Sequence, residues 1–281
     1  MIERAAAGKR AGEGAGGQAG ERAEVTAMLT RTGVLAAIRW AYESAARRAF
    51  ATFSPADGHD AAWLGNTRYI LFRDRLDRAF RCGRYAADGD GLPAAGPASP
   101  AAGPGLPAAG PDALAPDLLH AQLSDDEVAG LPPVTPGRVV RADLYGSPGW
   151  AVGAPGASVD RRDLRFLLAS GDYGFVASIA WARKGITKRV VALQLPSGPA
   201  GPGAFADALF GPEDFLPPQD PVGGALFDPR RVLRMPTYVV AHSLDPRTGA
   251  MELVLGRPKM KPGDTGSWHW LADLLAGEEA R

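Results

Sequence analysis

The chain has little of the residue types from which most recognisable metal, disulfide and catalytic sites are built. Its 281 residues include one cysteine, Cys82, and four histidines. A single cysteine excludes an intramolecular disulfide and a zinc site with several cysteine ligands. The spacing motifs of serine hydrolases, zinc proteases, dinucleotide-binding folds, phosphate-binding loops and protein kinases do not occur. The sequence therefore assigns no catalytic residue, and we expect no resident cofactor or metal.

Long apolar segments are also missing. No apolar run approaches the roughly 20 residues that a membrane-spanning helix needs, and the first residues contain no hydrophobic signal core. These two features predict a cytoplasmic protein without membrane contact.

The net charge of zero conceals a strong segregation of charge along the chain. Residues 31–86 carry ten basic and five acidic side chains, whereas residues 87–137 carry seven acidic side chains and no basic one. Solubility alone accounts for this pattern. A more specific interpretation is that the acidic segment folds back over the basic helices and screens them.

The most strongly patterned stretch, residues 63–85, predicts an amphipathic helix. Tyr69, Phe72, Leu76 and Phe80 recur at steps of three, four and four, which forms one apolar stripe. A second helix over 33–52 and a turn after it predict an antiparallel hairpin. Such a hairpin has too small a core to be stable alone. We therefore expect the stripe to form an interface with the C-terminal part or with another chain.

The remaining sequence predicts an α+β fold, in which a linker rich in Pro, Gly and Ala separates this helical hairpin from a small, mostly antiparallel β-sheet domain. We expect a disordered tail over 1–30 (with Met28 as an alternative start), the hairpin over 31–86 and a flexible linker over 87–117. The α+β domain follows over 118–281, with an irregular excursion at 196–236. Alternating patterns predict strands at 139–144, 150–152, 164–169 and 189–195. A β-hairpin is predicted over 237–256, followed by a basic connector at 257–262 and a short helix at 268–275.

Two side-chain clusters are candidate sites. Within 181–189, the cations Arg183, Lys184, Lys188 and Arg189 accompany Trp181, which is typical either of a polyanion contact or of a solvated loop. His242, Glu252 and His269 together have the composition of a metal site. Their spacing matches no known motif, and a register error of one residue would invert the geometry.

Three short segments resemble a family of uncharacterised proteins from high-GC, actinobacterial-type bacteria. They are Ala-Ala-Ile-Arg-Trp-Ala-Tyr-Glu at 36–43, Trp-Leu-Gly-Asn-Thr-Arg-Tyr at 63–69 and Ser-Trp-His-Trp at 267–270. The resemblance covers residues 33–86 and 118–275. It implies no activity, and it suggests that the tail and the linker are variable additions.

Taken together, these features favour a non-enzymatic interaction or regulatory protein. Its expected partners are another protein or a second copy of itself, and nucleic acid through the basic segment 181–189. The alternative is a metal-dependent or other hydrolase centred on His242, Glu252 and His269.

Overall fold

The sheet and helices form the α+β architecture that the sequence predicts. The computed structural model describes residues 3–86, 115–134, 138–153, 164–194, 233, 235–260 and 267–276. The α-helices in these ranges are α1 (Glu3–Arg31), α2 (Val34–Ala51), α3 (Ala61–Ala79), α4 (Ala115–His120), α5 (Asp125–Ala129) and α6 (Ile186–Ala192). The strands are β1 (Val139–Arg141), β2 (Gly149–Val152), β3 (Leu164–Ser170), β4 (Thr237–Leu244), β5 (Met251–Lys259) and β6 (Ser267–Asp273). Most of the predicted linker and of the excursion 196–236 lies outside the described residues.

The six strands form one sheet in sequence order, from β1 to β6. Neighbouring strands are antiparallel, except that β3 and β4 are parallel. This result confirms the prediction of a mostly antiparallel sheet that follows N-terminal helices. No helix in the described part of the chain is long and apolar enough to cross a membrane.

A sharp corner joins α2 to α3. The Asp60 carboxylate accepts a hydrogen bond from the backbone N–H of Trp63 at 2.7 Å, which caps the start of α3. The indole of Trp63 stacks on the imidazole of His59 with the ring centroids 3.8 Å apart. Cap and stack together fix the direction in which α3 leaves the corner.

The apolar stripe of α3 packs into the core that the helices share with the sheet. Phe72, Leu76 and Phe80 are at most 3% exposed, and Tyr69 lies half-buried at the edge of the same core. The ring of Phe80 meets that of Phe166 in β3 at a centroid distance of 6.1 Å. The hairpin is therefore covered within this chain by the sheet.

The two faces of the sheet have different covers. Along β3, Phe166 and Leu168 point to the face covered by α1, α2 and α3, and Leu167 and Ala169 point to the opposite face. This opposite face is covered by residues 176–192. Alternation along a strand produces this division.

The prediction of a disordered tail over 1–30 is wrong for the part that the structure describes, because α1 runs from Glu3 to Arg31. Val25 and Leu29, four residues apart, are buried at 7% and 0% exposure. One turn earlier, the Glu21 carboxylate accepts a hydrogen bond from Arg257 at 2.6 Å and two further bonds, from Tyr238 and Trp270. These few anchors hold a helix whose composition otherwise resembles a disordered segment.

Three further local predictions are wrong. Residues 189–195, expected as a strand, lie largely in α6. Thr187 and Val191, four residues apart, are buried on one side of this helix, and this packing overrides the strand preference of the β-branched residues. The expected helix at 268–275 is mostly strand β6, which pairs with β5. The first three residues of the expected basic connector at 257–262 belong to β5, where Arg257 is fully buried.

The ion pair between Glu21 and Arg257 generates a prediction about stability. Replacing Glu21 by Gln leaves the buried guanidinium without its carboxylate, which costs about 3 kcal/mol in a buried pair. We expect the free energy of unfolding, measured by urea denaturation, to fall by that order. Glu24→Gln, an exposed position on the same helix, is the matched control. Equal stability of the two variants would show that α1 is not held by this pair.

Candidate functional site

A cleft of about 600 Å³ opens at the edge of the sheet where β3 and β4 both end. Carboxyl ends of neighbouring parallel strands are a common position for ligand sites. The cleft lies between the start of α3, the segment after β3 and the turn between β4 and β5. Its lining residues are Ala61, Leu64, Gly65, Arg68, Ser170, Gly171, Asp172, Tyr173, Lys184, Leu244, Asp245, Pro246 and Arg247.

Local structure fixes each wall of the cleft. Positions 61, 64, 65 and 68 lie on one face of α3 at helical spacing. The parallel register of β3 and β4 pairs Ser170 with His242. In the β4–β5 turn, the carboxylate of Asp245 accepts bonds from the Thr248 hydroxyl at 2.6 Å and from the Arg247 backbone N–H at 2.9 Å. These bonds lower the pKa of Asp245 and keep the turn closed.

Arg68 is the unusual residue of the cleft. Its side chain is buried, with the residue 4% exposed, and its Nε has no hydrogen-bond partner among the described residues. Burial lowers its pKa, and the nearby Tyr42 opposes that shift. A buried cation without a compensating anion is destabilising.

His242, the partner of Ser170 in the parallel register, is fully buried. Its ring lies 5.2 Å from that of Phe72 and 5.5 Å from that of Tyr42, measured between centroids. Burial holds the pKa of His242 well below its usual value, and the charges of three neighbouring cations, Arg68, Lys188 and Lys184, lower it further. The imidazole is therefore neutral near pH 7.

Lys184 and Lys188 are the other two cations whose charges act on His242. The Nζ of Lys184 donates a hydrogen bond to the backbone carbonyl of Ser170 at 2.7 Å. Burial lowers the pKa of Lys188, and the charge of Lys184 acts in the same direction. Within the described ranges, neither lysine makes an ion pair with a carboxylate.

The structure divides the four cations predicted as a nucleic-acid contact. Arg183 is exposed, Lys184 lines the cleft, and Lys188 and Arg189 are half-buried on α6. Trp181, the aromatic residue of this segment, is fully buried and meets the ring of Trp268 edge-on. The segment therefore does not present its cations as one continuous surface.

The residues of the alternative metal site are not brought together. His242 pairs with Leu253, so Glu252 pairs with Ser243 and lies on the opposite face of the sheet. His269 falls at a bulge of β6 beside Arg257 and Pro258, roughly 15 Å farther along the sheet. Among the described residues, no group of three His, Cys, Asp or Glu side chains could hold a metal ion.

Ser170 and His242 do not have the geometry of an activated nucleophile. The hydroxyl oxygen lies 3.4 Å from Nε2, and Nδ1 has no hydrogen-bond partner in the described structure to orient the ring. An effective general base needs a pKa near the working pH, whereas that of His242 is strongly depressed. The site is better suited to binding an anion than to activating a serine.

The sequence contained a signal for Arg68 that motif searching does not detect. Leu64, Arg68, Phe72, Leu76 and Phe80 recur at steps of four, so a cation occupies a core position of the apolar stripe. A charged residue in such a position is rarely buried without a reason. The other walls of the cleft come from distant segments and have no local signature.

Comparisons with known proteins add no assignment. No protein-family model matches the chain, and neither a curated protein nor a solved structure matches it significantly. The resemblance to uncharacterised actinobacterial-type proteins is not tested by these comparisons. The function therefore has to be inferred from the cleft itself.

The neutral state of His242 predicts how stability depends on pH. Because its pKa is lower in the folded than in the unfolded state, the folded protein binds fewer protons below the unfolded value of about 6.5. We expect the free energy of unfolding to fall as the pH drops from 7.5 to 5.0. The contribution of His242 has a slope of up to about 1.4 kcal/mol per pH unit.

Urea denaturation at both pH values measures this slope. His242→Leu should remove the contribution of His242, whereas His120→Gln, at an exposed histidine, should keep it. A slope unchanged in His242→Leu would mean that protonation of this imidazole does not oppose folding.

Proposed function

We propose that this protein is a non-enzymatic binding module with an interaction or regulatory role, whose cleft recognises an anionic ligand. The observation that carries the proposal is Arg68, a buried guanidinium that lines an open cleft without an acidic partner. The cost of burying such a charge is offset when an anion binds beside it.

The other buried arginines among the described residues support this proposal by contrast. Arg75 pairs with Glu127 at 3.2 Å, Arg78 with Asp74 at 2.8 Å, and Arg257 with Glu21 at 2.6 Å. Each of these three also lies away from the cleft. Arg68 differs in both respects, because it reaches the cleft and none of the ion pairs within the described residues includes it. An external anion would supply what the carboxylates supply elsewhere.

The dimensions of the cleft favour a small ligand. Its volume of about 600 Å³ lies within the usual range for sites that bind small molecules. The cations at 183, 184, 188 and 189 do not share one open surface, so a contact with nucleic acid has less support than it had from sequence alone. A cytoplasmic location, and a protein partner or second copy that responds to the bound ligand, complete the proposal.

Arg68→Met tests the proposal through two opposite effects. Methionine keeps an apolar stem but removes the unpaired charge, so the variant should be more stable than the unmodified protein without ligand, by about 1–2 kcal/mol. The unmodified protein should gain thermal stability from benzenesulfonate or phenyl phosphate at constant ionic strength, because ligands that bind only the folded state stabilise it. Arg68→Met should lose that gain.

Arg73→Met, on the same helix but outside the cleft, is the matched control and should respond to both anions as the unmodified protein does. The proposal fails if neither anion stabilises the unmodified protein. It also fails if Arg68→Met responds as strongly as Arg73→Met.

A further inference from the structure

We infer that the ligand of the cleft is an organic anion whose apolar part lies against the backbone of α3 at Gly65, and that this glycine determines how large that part can be. The inference rests on the proposed anion-binding function and specifies the ligand class of the same cleft. Its support is the position of Gly65 inside α3, the open space beside it and the apolar residues around it.

Gly65 lies inside a helix, where glycine is unfavourable. Position 65 follows the first turn of α3 (Ala61–Ala79). Glycine destabilises a helix interior relative to alanine, because it loses the most backbone freedom on folding. The backbone gives no reason for a glycine here, since Gly65 does not have the positive φ that makes glycine necessary in a turn.

Close packing gives no reason for the glycine either. Apart from its chain neighbours and the local helix backbone, a Cβ added to Gly65 would meet no atom of the described residues within 4 Å. By contrast, a Cβ at Gly149 would lie 2.6 Å from the side chain of Leu167. One at Gly256 would lie 2.5 Å from the backbone oxygen of Trp270. Those two glycines are required by their neighbours, whereas the space beside Gly65 is open.

This open space belongs to the cleft. Ala61, Leu64 and Arg68 surround position 65 on the side of α3 that lines the cleft. The missing side chain leaves a gap between them, which we call the Gly65 notch. Side chains of a helix lean toward its N-terminus, so Arg68 extends over the turn that contains Gly65. The notch therefore adjoins the cation on which the anion-binding proposal depends.

The guanidinium of Arg68 presents its outer end to a ligand. Its Nε is enclosed and has no hydrogen-bond partner in the described structure, so Nη1 and Nη2 are the donors that a ligand in the cleft can reach. Two such donors bind two oxygens of one carboxylate, sulfonate or phosphate group. An anionic group held there places the rest of the ligand beside the Gly65 notch.

The surface around the notch is apolar. Ala61 and Leu64 flank it on α3, and Leu244 lines the cleft from the end of β4. The charged residues of the other walls are Asp172, Lys184, Asp245 and Arg247. Burying apolar atoms beside the notch adds affinity in proportion to the area removed from water. The ligand class that fits is therefore an anion with an apolar part next to its charged group.

Benzenesulfonate and methanesulfonate test the inference, because they share the charged group and differ in the apolar part. NMR titration of the full chain at constant ionic strength measures such weak affinities. Benzenesulfonate should bind at least about threefold more tightly than methanesulfonate, because its ring is buried beside the notch. Gly65→Leu fills the notch and should weaken benzenesulfonate binding about tenfold by steric overlap, but methanesulfonate binding by less than about twofold.

Asn66→Leu is the matched control. It adds the same side chain one position along, at an exposed residue that does not line the cleft, and should leave both affinities unchanged. Gly65→Ala adds the smallest side chain. It should raise the melting temperature, because alanine favours the helix, and should weaken benzenesulfonate binding by about threefold.

Three results would overturn the role of Gly65 while the anion-binding proposal stands. They are a melting temperature lowered by Gly65→Ala, equal weakening of both sulfonates by Gly65→Leu, and unchanged binding of benzenesulfonate by both Gly65 variants. In each case the unmodified protein still binds benzenesulfonate and Arg68→Met does not. Absence of binding of both sulfonates to the unmodified protein would overturn the anion-binding proposal and this inference together.

Discussion

The fold depends on the carboxylates and backbone carbonyls that accept hydrogen bonds from its buried arginines. Arg257, fully buried in β5, binds the carboxylate of Glu21 and so holds α1 on the sheet. Arg75 in α3 binds Glu127, which also caps the start of α5. The guanidinium of Arg78 donates to two backbone carbonyls at the end of α4. A buried guanidinium without these acceptors would cost several kcal/mol, so three segments that are distant in sequence are fixed by three arginines.

Part of the segregated charge of the chain is paired internally. In the described part of the acidic segment, Glu127 binds Arg75, and two backbone carbonyls accept hydrogen bonds from Arg78. Within α3, Asp74 and Asp77 are structural acceptors: Asp74 binds Arg78 and Tyr85, and Asp77 accepts a bond from the indole of Trp150. These internal partners account for much of the basic face without any external polyanion. Arg68 stands out because its Nε has no hydrogen-bond partner and it forms no ion pair among the described residues.

Periodicity predicted the large elements and could not predict how distant ones meet. The α3 stripe, the α2 helix and the β4–β5 hairpin follow from spacing and turn residues that are local in sequence. The helix α1 was missed because Glu21, Val25 and Leu29 are sparse anchors in a polar, Gly-rich segment, and its main bonds reach residues more than 200 positions away. The cleft was missed for the same reason. It combines α3, the ends of two strands and a lysine segment, and the hypothetical pairing of His242 with Glu252 was one residue out of register.

The parallel pairing of β3 and β4 is what places a cleft at this edge of the sheet. In an antiparallel pair joined by a tight turn, a backbone connection would close the edge where the first strand ends. Here both strands end at the same edge, with Ser170 beside His242, and the connection between them must cross the sheet before β4 begins. The described part of that connection includes Lys184, which lines the cleft together with Arg68 of α3. The parallel pairing of β3 and β4 therefore places Lys184 and Arg68 in the same cleft, although no local sequence pattern connects them.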